Sequence, residues 1–169
     1  DKTKFIVIDN PNNPTGAIYS EKTLEGIVDL AGEHDIPVIS DEMYSLITYD
    51  GAKAKSVAEV AGDVPAIVLH GMSKIFQRTG WRVGYIAIHD PRGQLVEAKS
   101  VFKRFSLLYG HATTAMPTPI LAAATRAFKG SMEESWNFVK EIQRRRDFTF
   151  KRVNEIDGLS CSKPKAALY

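Results

Sequence analysis

The sequence predicts an α/β fold, a mostly parallel sheet with one antiparallel strand and flanking helices. Three observations predict it. Short β-branched or apolar runs, Phe5-Ile-Val-Ile8, Ile36-Pro-Val-Ile39 and Ala66-Ile-Val-Leu69, are each bounded by turn residues and read as buried strands. Between the first two lies an amphipathic stretch, Glu21 to Glu33, long enough for a crossover helix, which makes those strands parallel neighbours. A fourth apolar stretch, Trp81 to Ile88, comes too soon after the third strand for a crossover helix, so it is expected to run antiparallel.

Composition bounds the reading. The 169 residues suffice for one hydrophobic core, and 44% apolar with 25% charged residues is ordinary for a globular protein. A net charge of +2 gives no electrostatic argument for a nucleic-acid or membrane-surface partner. The single cysteine, Cys161, excludes an internal disulfide and a cysteine-based metal site, and a reducing, cytoplasmic setting is the expectation. No apolar run reaches the roughly 18 residues of a membrane-spanning helix. The chain starts at Asp1 and stops at Tyr169 inside an apolar stretch, so a piece of a longer protein is expected.

Lys4 to Asp9 is the first strand, leading into Asn10-Pro-Asn-Asn-Pro-Thr-Gly16, where two Asn-Pro steps and a glycine forbid helix and strand. One X-Pro bond of this rigid loop is expected to be cis, with Asn13-Pro14 the choice. Ser20 caps the helix, whose Leu24, Ile27, Val28 and Ala31 recur at helical spacing. The second strand ends in Asp41-Glu-Met-Tyr44, Asp50-Gly51 is a turn, and Ser56 to Ala61 forms a short helix. After the fourth strand, Asp90-Pro-Arg-Gly93 turns the chain. Leu95 to Tyr109 then reads as a helix, Pro117 and Pro119 precede another at Ile120 to Phe128, and Met132 to Ile156 is a long one. Strands are expected at Gly158 to Ser162 and Ala166 to Tyr169.

Parallel topology brings Asn13, Asp41, Tyr44, Ser73 and Lys74 to one edge, the C-terminal ends of the strands, where open α/β sheets bind ligands. A lysine just past an apolar strand is costly to desolvate; desolvation lowers the amine's pKa, and a neutral amine attacks carbonyls. Arg82, eight residues on, is a fixed cation whose planar fork suits phosphate. A phosphorylated aldehyde would need both. Taken alone, this stretch fits equally well a surface lysine with its head in water beside a structural arginine. His70, His89 and His111 show no metal-ligand spacing.

Taken together, Asn10-Pro-Asn-Asn-Pro-Thr-Gly16, Asp41-Glu-Met-Tyr44, Ser73-Lys74 and Gly80-Trp-Arg-Val-Gly84 resemble, in order and separation, the fold-type I class I/II aminotransferases that depend on pyridoxal 5′-phosphate. The likeness is strongest to the prokaryotic alanine and aspartate enzymes. The resemblance implies that Lys74 forms a Schiff base (an aldimine) with the cofactor and then carries a proton during ping-pong amino transfer from an L-amino acid to a 2-oxo acid. It implies that Asp41 pairs with the pyridine nitrogen, that Tyr44 and Asn13 contact the 3′ oxygen, with Asn13 also near the substrate carboxylate, and that Ser73 and Arg82 face the phosphate. It implies a layout of large domain over 1–131, connector helix over 132–157 and the start of a small domain over 158–169, within a cytoplasmic homodimer.

Two positions depart from the family pattern. Gly71 stands where many members carry a phosphate-binding serine, which shifts weight to Arg82, Ser73 and groups outside this chain. Ala166 replaces the usual glycine of a Lys-Pro-x-Gly-Ala pattern. The cofactor-stacking aromatic and the arginine for the substrate carboxylate lie outside these residues, so the chain alone is expected to be inactive. Two alternatives stand beside transamination: a carbon–sulfur lyase on the same fold, and a cofactor-sensing regulator domain.

Overall fold

A computed structural model describes residues 2–96, 100–113 and 115–169. Four strands form one sheet in sequential order: β1 (Ile6–Asp9), β2 (Val38–Asp41), β3 (Ala66–Gly71) and β4 (Gly84–His89). The first three are parallel and β4 is antiparallel to β3, as the connection lengths predict. The register pairs Asp9 with Asp41 and Asp41 with Leu69, so β1 and β2 end level and β3 runs on through His70 and Gly71.

The helix α1 (Glu21–Glu33) links β1 to β2. Ser20 caps it as expected, its Oγ accepting from the Thr23 N–H at 3.1 Å. Leu24, Val28 and Ala31 of α1 bury against Ile8, Val38, Ala66 and Val68 of the sheet. Full burial of Leu24 or Val28 contributes about 1.5–3 kcal/mol each, enough to hold a helix too short to be stable alone. Val57 and Ala61 complete this core; the short helix expected at 56–61 is a single 3-10 turn, Val57–Glu59, closed by a Ser56–Glu59 capping box.

Beyond the sheet lie α2 (Val101–Thr113), α3 (Thr118–Lys129) and α4 (Glu133–Asn154). Three expectations are corrected. The helix predicted from Leu95 begins at Val101 instead; residues 94–96 form a turn held by Asp90, whose carboxylate accepts the N–H groups of Gln94, Leu95 and Val96. Glu97, Ala98 and Lys99 of that expected helix lie outside the described residues. Pro119 does not stand ahead of α3 but sits in its first turn, where a missing N–H costs nothing. Among the described residues the strands predicted for 158–162 and 166–169 do not form; an isolated bridge joins Ala166 to Thr48, and Ala167 takes a φ of 64°, which ends extended backbone.

A second core joins the end of β2 to α4. Tyr44, Ile47, Tyr49 and Ile75 pack with Val139 and Ala167. It lies beneath the loop that carries Lys74 and fastens the long helix to the sheet edge. Among the described residues, no helix is long and apolar enough to cross a membrane.

Candidate active site at the strand ends

Asp41 is the last residue of β2 and stands beside Asp9, the last residue of β1. The Asp41 carboxylate accepts the Met43 N–H at 3.0 Å, which leaves its second oxygen without a partner among the described residues. Asp9 was missed by sequence reasoning. Its Oδ2 accepts the Asn13 N–H at 2.8 Å and so ties the Asn-Pro loop to the sheet. Burial pushes the Asp9 carboxyl above its ordinary range; the Asn13 N–H opposes this, and the neighbouring Asp41 charge adds to it. The signal was present in the sequence, since both strands end in aspartate.

The Asn-Pro loop has two cis bonds, at the expected Asn13-Pro14 and also at Asn10-Pro11. Asn10 is buried and holds the loop's exit, accepting from the Tyr19 N–H at 2.9 Å and donating to the Lys55 carbonyl at 3.1 Å. Asn13 itself is exposed at the edge, beside the two aspartates.

Tyr44 is buried, three residues past Asp41. Its hydroxyl meets the Tyr169 hydroxyl at 3.1 Å. Burial, that contact and the nearby carboxylates of Asp9 and Asp41 raise its pKa, so the phenol keeps its proton and can donate it in a hydrogen bond. The half-buried Lys74 places its Nζ 5.3 Å from the centre of the Tyr44 ring, a cation–π contact. No carboxylate pairs with Lys74 among the described residues. Tyr169, expected only as part of a strand, thus touches the site.

Gly71 is explained by backbone proximity. A Cβ there would stand 2.6 Å from the Val83 carbonyl oxygen and 3.1 Å from the Gly84 Cα. A serine cannot occupy this position without moving β4. The loop from Met72 to Val83 is closed by Met72 N–H to Val83 O at 3.1 Å and Arg78 N–H to Met72 O at 3.1 Å. The strand predicted from Trp81 therefore starts at Gly84, because Thr79–Trp81 forms a 3-10 turn and Arg82 takes a left-handed φ of 55°. That conformation is uncommon outside glycine and marks a constrained site.

The structure thus joins Lys74 directly to Tyr44, places Asp41 near enough to act on the Tyr44 phenol through its charge, and ties Asn13 to Asp9, the strand partner of Asp41. Ser73 is half-buried next to Lys74 with no side-chain partner among the described residues. Arg82 is exposed, and its Nη1 donates to the Thr79 carbonyl of its own loop at 2.9 Å, apart from the Lys74–Tyr44 pair. The donor set suits a phosphorylated pyridine aldehyde: a primary amine packed on an aromatic ring, a carboxylate with an open oxygen, a protonated phenol and, further along the lysine's own loop, a guanidinium. Ala166 is fully buried without a positive φ, so no left-handed backbone requires glycine there.

Comparison with known proteins agrees. The model of the family "Aminotransferase class I and II" matches residues 1–169. The chain is 40% identical to aromatic-amino-acid aminotransferase 2 of Thermococcus litoralis, over 99% of its length and 41% of that protein. It is also 40% identical to aspartate aminotransferase of Pyrococcus abyssi, over 100% of its length and 42% of that protein. The solved structure of an alanine aminotransferase from Pyrococcus furiosus superposes with a TM-score of 0.88 at 44% identity, covering 98% of this chain and 41% of that one. The chain therefore spans about two fifths of the length of the relatives it matches.

Proposed function

The chain belongs to the class I and II aminotransferase family, and we propose that it supplies the cofactor-binding sheet edge of a transaminase. The reaction is amino transfer from an L-amino acid of alanine or aspartate type to a 2-oxo acid such as 2-oxoglutarate, in two half-reactions that share one site. The observation that carries this reading is Lys74 Nζ set on the ring of Tyr44, whose phenol feels the carboxylates of Asp9 and Asp41 at the level ends of β1 and β2.

Bound pyridoxal 5′-phosphate would supply an aldehyde for the lysine amine and a ring that accepts electrons from the substrate α-carbon. The remaining work falls to this chain. Lys74 Nζ would hold the cofactor through its aldehyde and serve as the proton carrier at the substrate α-carbon. Asp41 holds a proton on the pyridine nitrogen through its open oxygen. Tyr44 donates a hydrogen bond at the 3′ oxygen, with Asn13 beside it and near the substrate carboxylate. Ser73 and Arg82 would hold the phosphate, the guanidinium by charge-assisted hydrogen bonds. Residues 1–131 act as part of the cofactor-binding domain, 132–157 as the connector and 158–169 as the opening of a second domain. The working enzyme is a cytoplasmic homodimer, and these 169 residues alone turn over no substrate.

The test is to incubate the full-length protein with alanine and 2-oxoglutarate, then with aspartate and 2-oxoglutarate, and to measure the oxo product. Formation of pyruvate or oxaloacetate is expected. Cleavage of cystathionine without either product would overturn the reading, as would turnover by residues 1–169 alone for its last clause.

A further inference from the structure

We propose that Arg146 is a positioning residue for the coenzyme site, fastening the segment Pro164–Ala167 where it holds the loop of Asn13 and the backbone behind Tyr44. This rests on the function proposed for that site. The arginine run of α4 divides by environment. Arg144 and Arg145 pair with Glu141 on the surface, each side chain at least 66% exposed, whereas the Arg146 side chain is 6% exposed. Its guanidinium donates from Nη1 to the Pro164 carbonyl at 2.9 Å, from Nη2 to Asp50 Oδ1 at 3.0 Å and from Nε to Asp147 Oδ1 at 3.0 Å. It lies 4.6 Å from the centre of the Tyr49 ring. Lys163 Nζ reaches the same two carboxylates, at 3.5 Å from Asp50 and 3.2 Å from Asp147.

The three residues after Pro164 connect this anchor to the site. The N–H groups of Lys165 and Ala166 donate to the Gly16 carbonyl at 3.2 and 3.0 Å. The Lys165 carbonyl accepts the Tyr49 N–H, the Ala167 N–H donates to the Ile47 carbonyl, and the Tyr49 hydroxyl donates to the Ala167 carbonyl. Gly16 ends the loop that carries Asn13, and a Cβ on it would stand 2.6 Å from both the Ala166 oxygen and the Pro164 Cβ. There is no slack in this contact, so a shift of Pro164 passes to Gly16. Ile47 in turn bonds through its N–H to the Tyr44 carbonyl at 2.9 Å. Arg146 is the point at which α4, the Tyr49–Asp50 turn and this segment meet, and it touches neither Asn13 nor Tyr44.

The test uses the full-length protein and three variants, Arg146→Ala, Asp50→Asn and Arg144→Ala, read by amino-acid KM, cofactor Kd and amide hydrogen exchange of the cofactor-free protein. Arg146→Ala is expected to raise KM and cofactor Kd by about tenfold or more. Exchange should quicken at residues 12–17 and 165–167 but not in α1. Asp50→Asn moves the same readouts less, and Arg144→Ala moves none. A folded Arg146→Ala with wild-type KM, Kd and exchange overturns the proposal. So does faster exchange spread evenly through α1 as well, which marks a general stabiliser. If Arg146→Ala fails to fold, Asp50→Asn decides on the same criteria. If the wild-type protein transfers no amino group, the functional reading fails by itself, and the exchange pattern still decides the role of Arg146.

Discussion

Two groups of charged side chains in this chain are built on opposite rules. Around Arg146 each charge meets a counter-charge: Asp50 and Asp147 close on the buried guanidinium, and Lys163 reaches the same two carboxylates. Burial works against that cation, and the two carboxylates more than offset it, raising its pKa. At the strand ends the rule is reversed. Asp9 and Asp41 are like charges held level by the sheet register, and Lys74 lies on an aromatic ring with no acid beside it among the described residues. The first arrangement fastens backbone. The second is kept against Coulomb repulsion by the surrounding fold, and its open groups are available to a ligand.

The largest effect that can break this contrast is at Lys74. Lys74→Ala in the full-length protein is expected to lower kcat by at least about a hundredfold, since a positioned proton carrier contributes roughly that much or more. Steady-state rates at saturating cofactor check it, and near-normal turnover would leave the strand-end lysine without a role. Next in size, Arg82→Ala is expected to weaken cofactor binding by about ten- to a hundredfold, the scale of one charge-assisted hydrogen bond, while sparing kcat at saturation. Equilibrium titration with pyridoxal 5′-phosphate separates the two effects.

Gly71→Ser sharpens the contrast on the structural side. The added Cβ meets the Val83 carbonyl, so about 1–3 kcal/mol of stability should be lost, read from urea unfolding. If the serine were tolerated, the close approach of β3 and β4 would not be what requires glycine.

The smallest effect concerns Glu42, buried next to Asp41, whose carboxylate accepts the Val57 N–H and the Ser56 hydroxyl, both at 2.9 Å. Burial raises its pKa, partly opposed by those hydrogen bonds. An acid with a raised folded pKa binds its proton more tightly in the folded state. It therefore adds stability below the ordinary carboxylate value and loses that contribution as the pH climbs through the raised one. Glu42→Gln keeps the acceptor and removes the charge, so unfolding at several pH values should show a flatter profile and no loss of stability at neutral pH.

Much of the sheet was legible because its signals are local. Alternating burial along β1 (Ile6 and Ile8 turned inward, Val7 exposed) and the Ser20 cap arise from short-range chemistry. So does the antiparallel β4, dictated by the length of the connection before it. Strand order was enough to carry Asp41, Tyr44 and Lys74 to one edge of the sheet, where Lys74 meets the Tyr44 ring. What escaped depends on long-range contacts. Asp9 joins the site through pairing with β2, which sequence pattern alone does not weigh. The segment 158–169 has β-like composition, yet the N–H groups of Lys165, Ala166 and Ala167 go to Gly16 and Ile47 and that of Cys161 goes to the Asn154 side chain, in place of a ladder. Arg146 looks like its two neighbours in sequence and differs only in what the fold wraps around it.

If the strand-end amine is the group that holds the cofactor, it can be trapped there covalently. The most direct test is borohydride reduction of the full-length protein with pyridoxal 5′-phosphate, with the labelled peptides then mapped by mass spectrometry. One pyridoxyl label, on Lys74, is the expected result. A label on another lysine such as Lys55, or none at all while amino transfer proceeds, would contradict it.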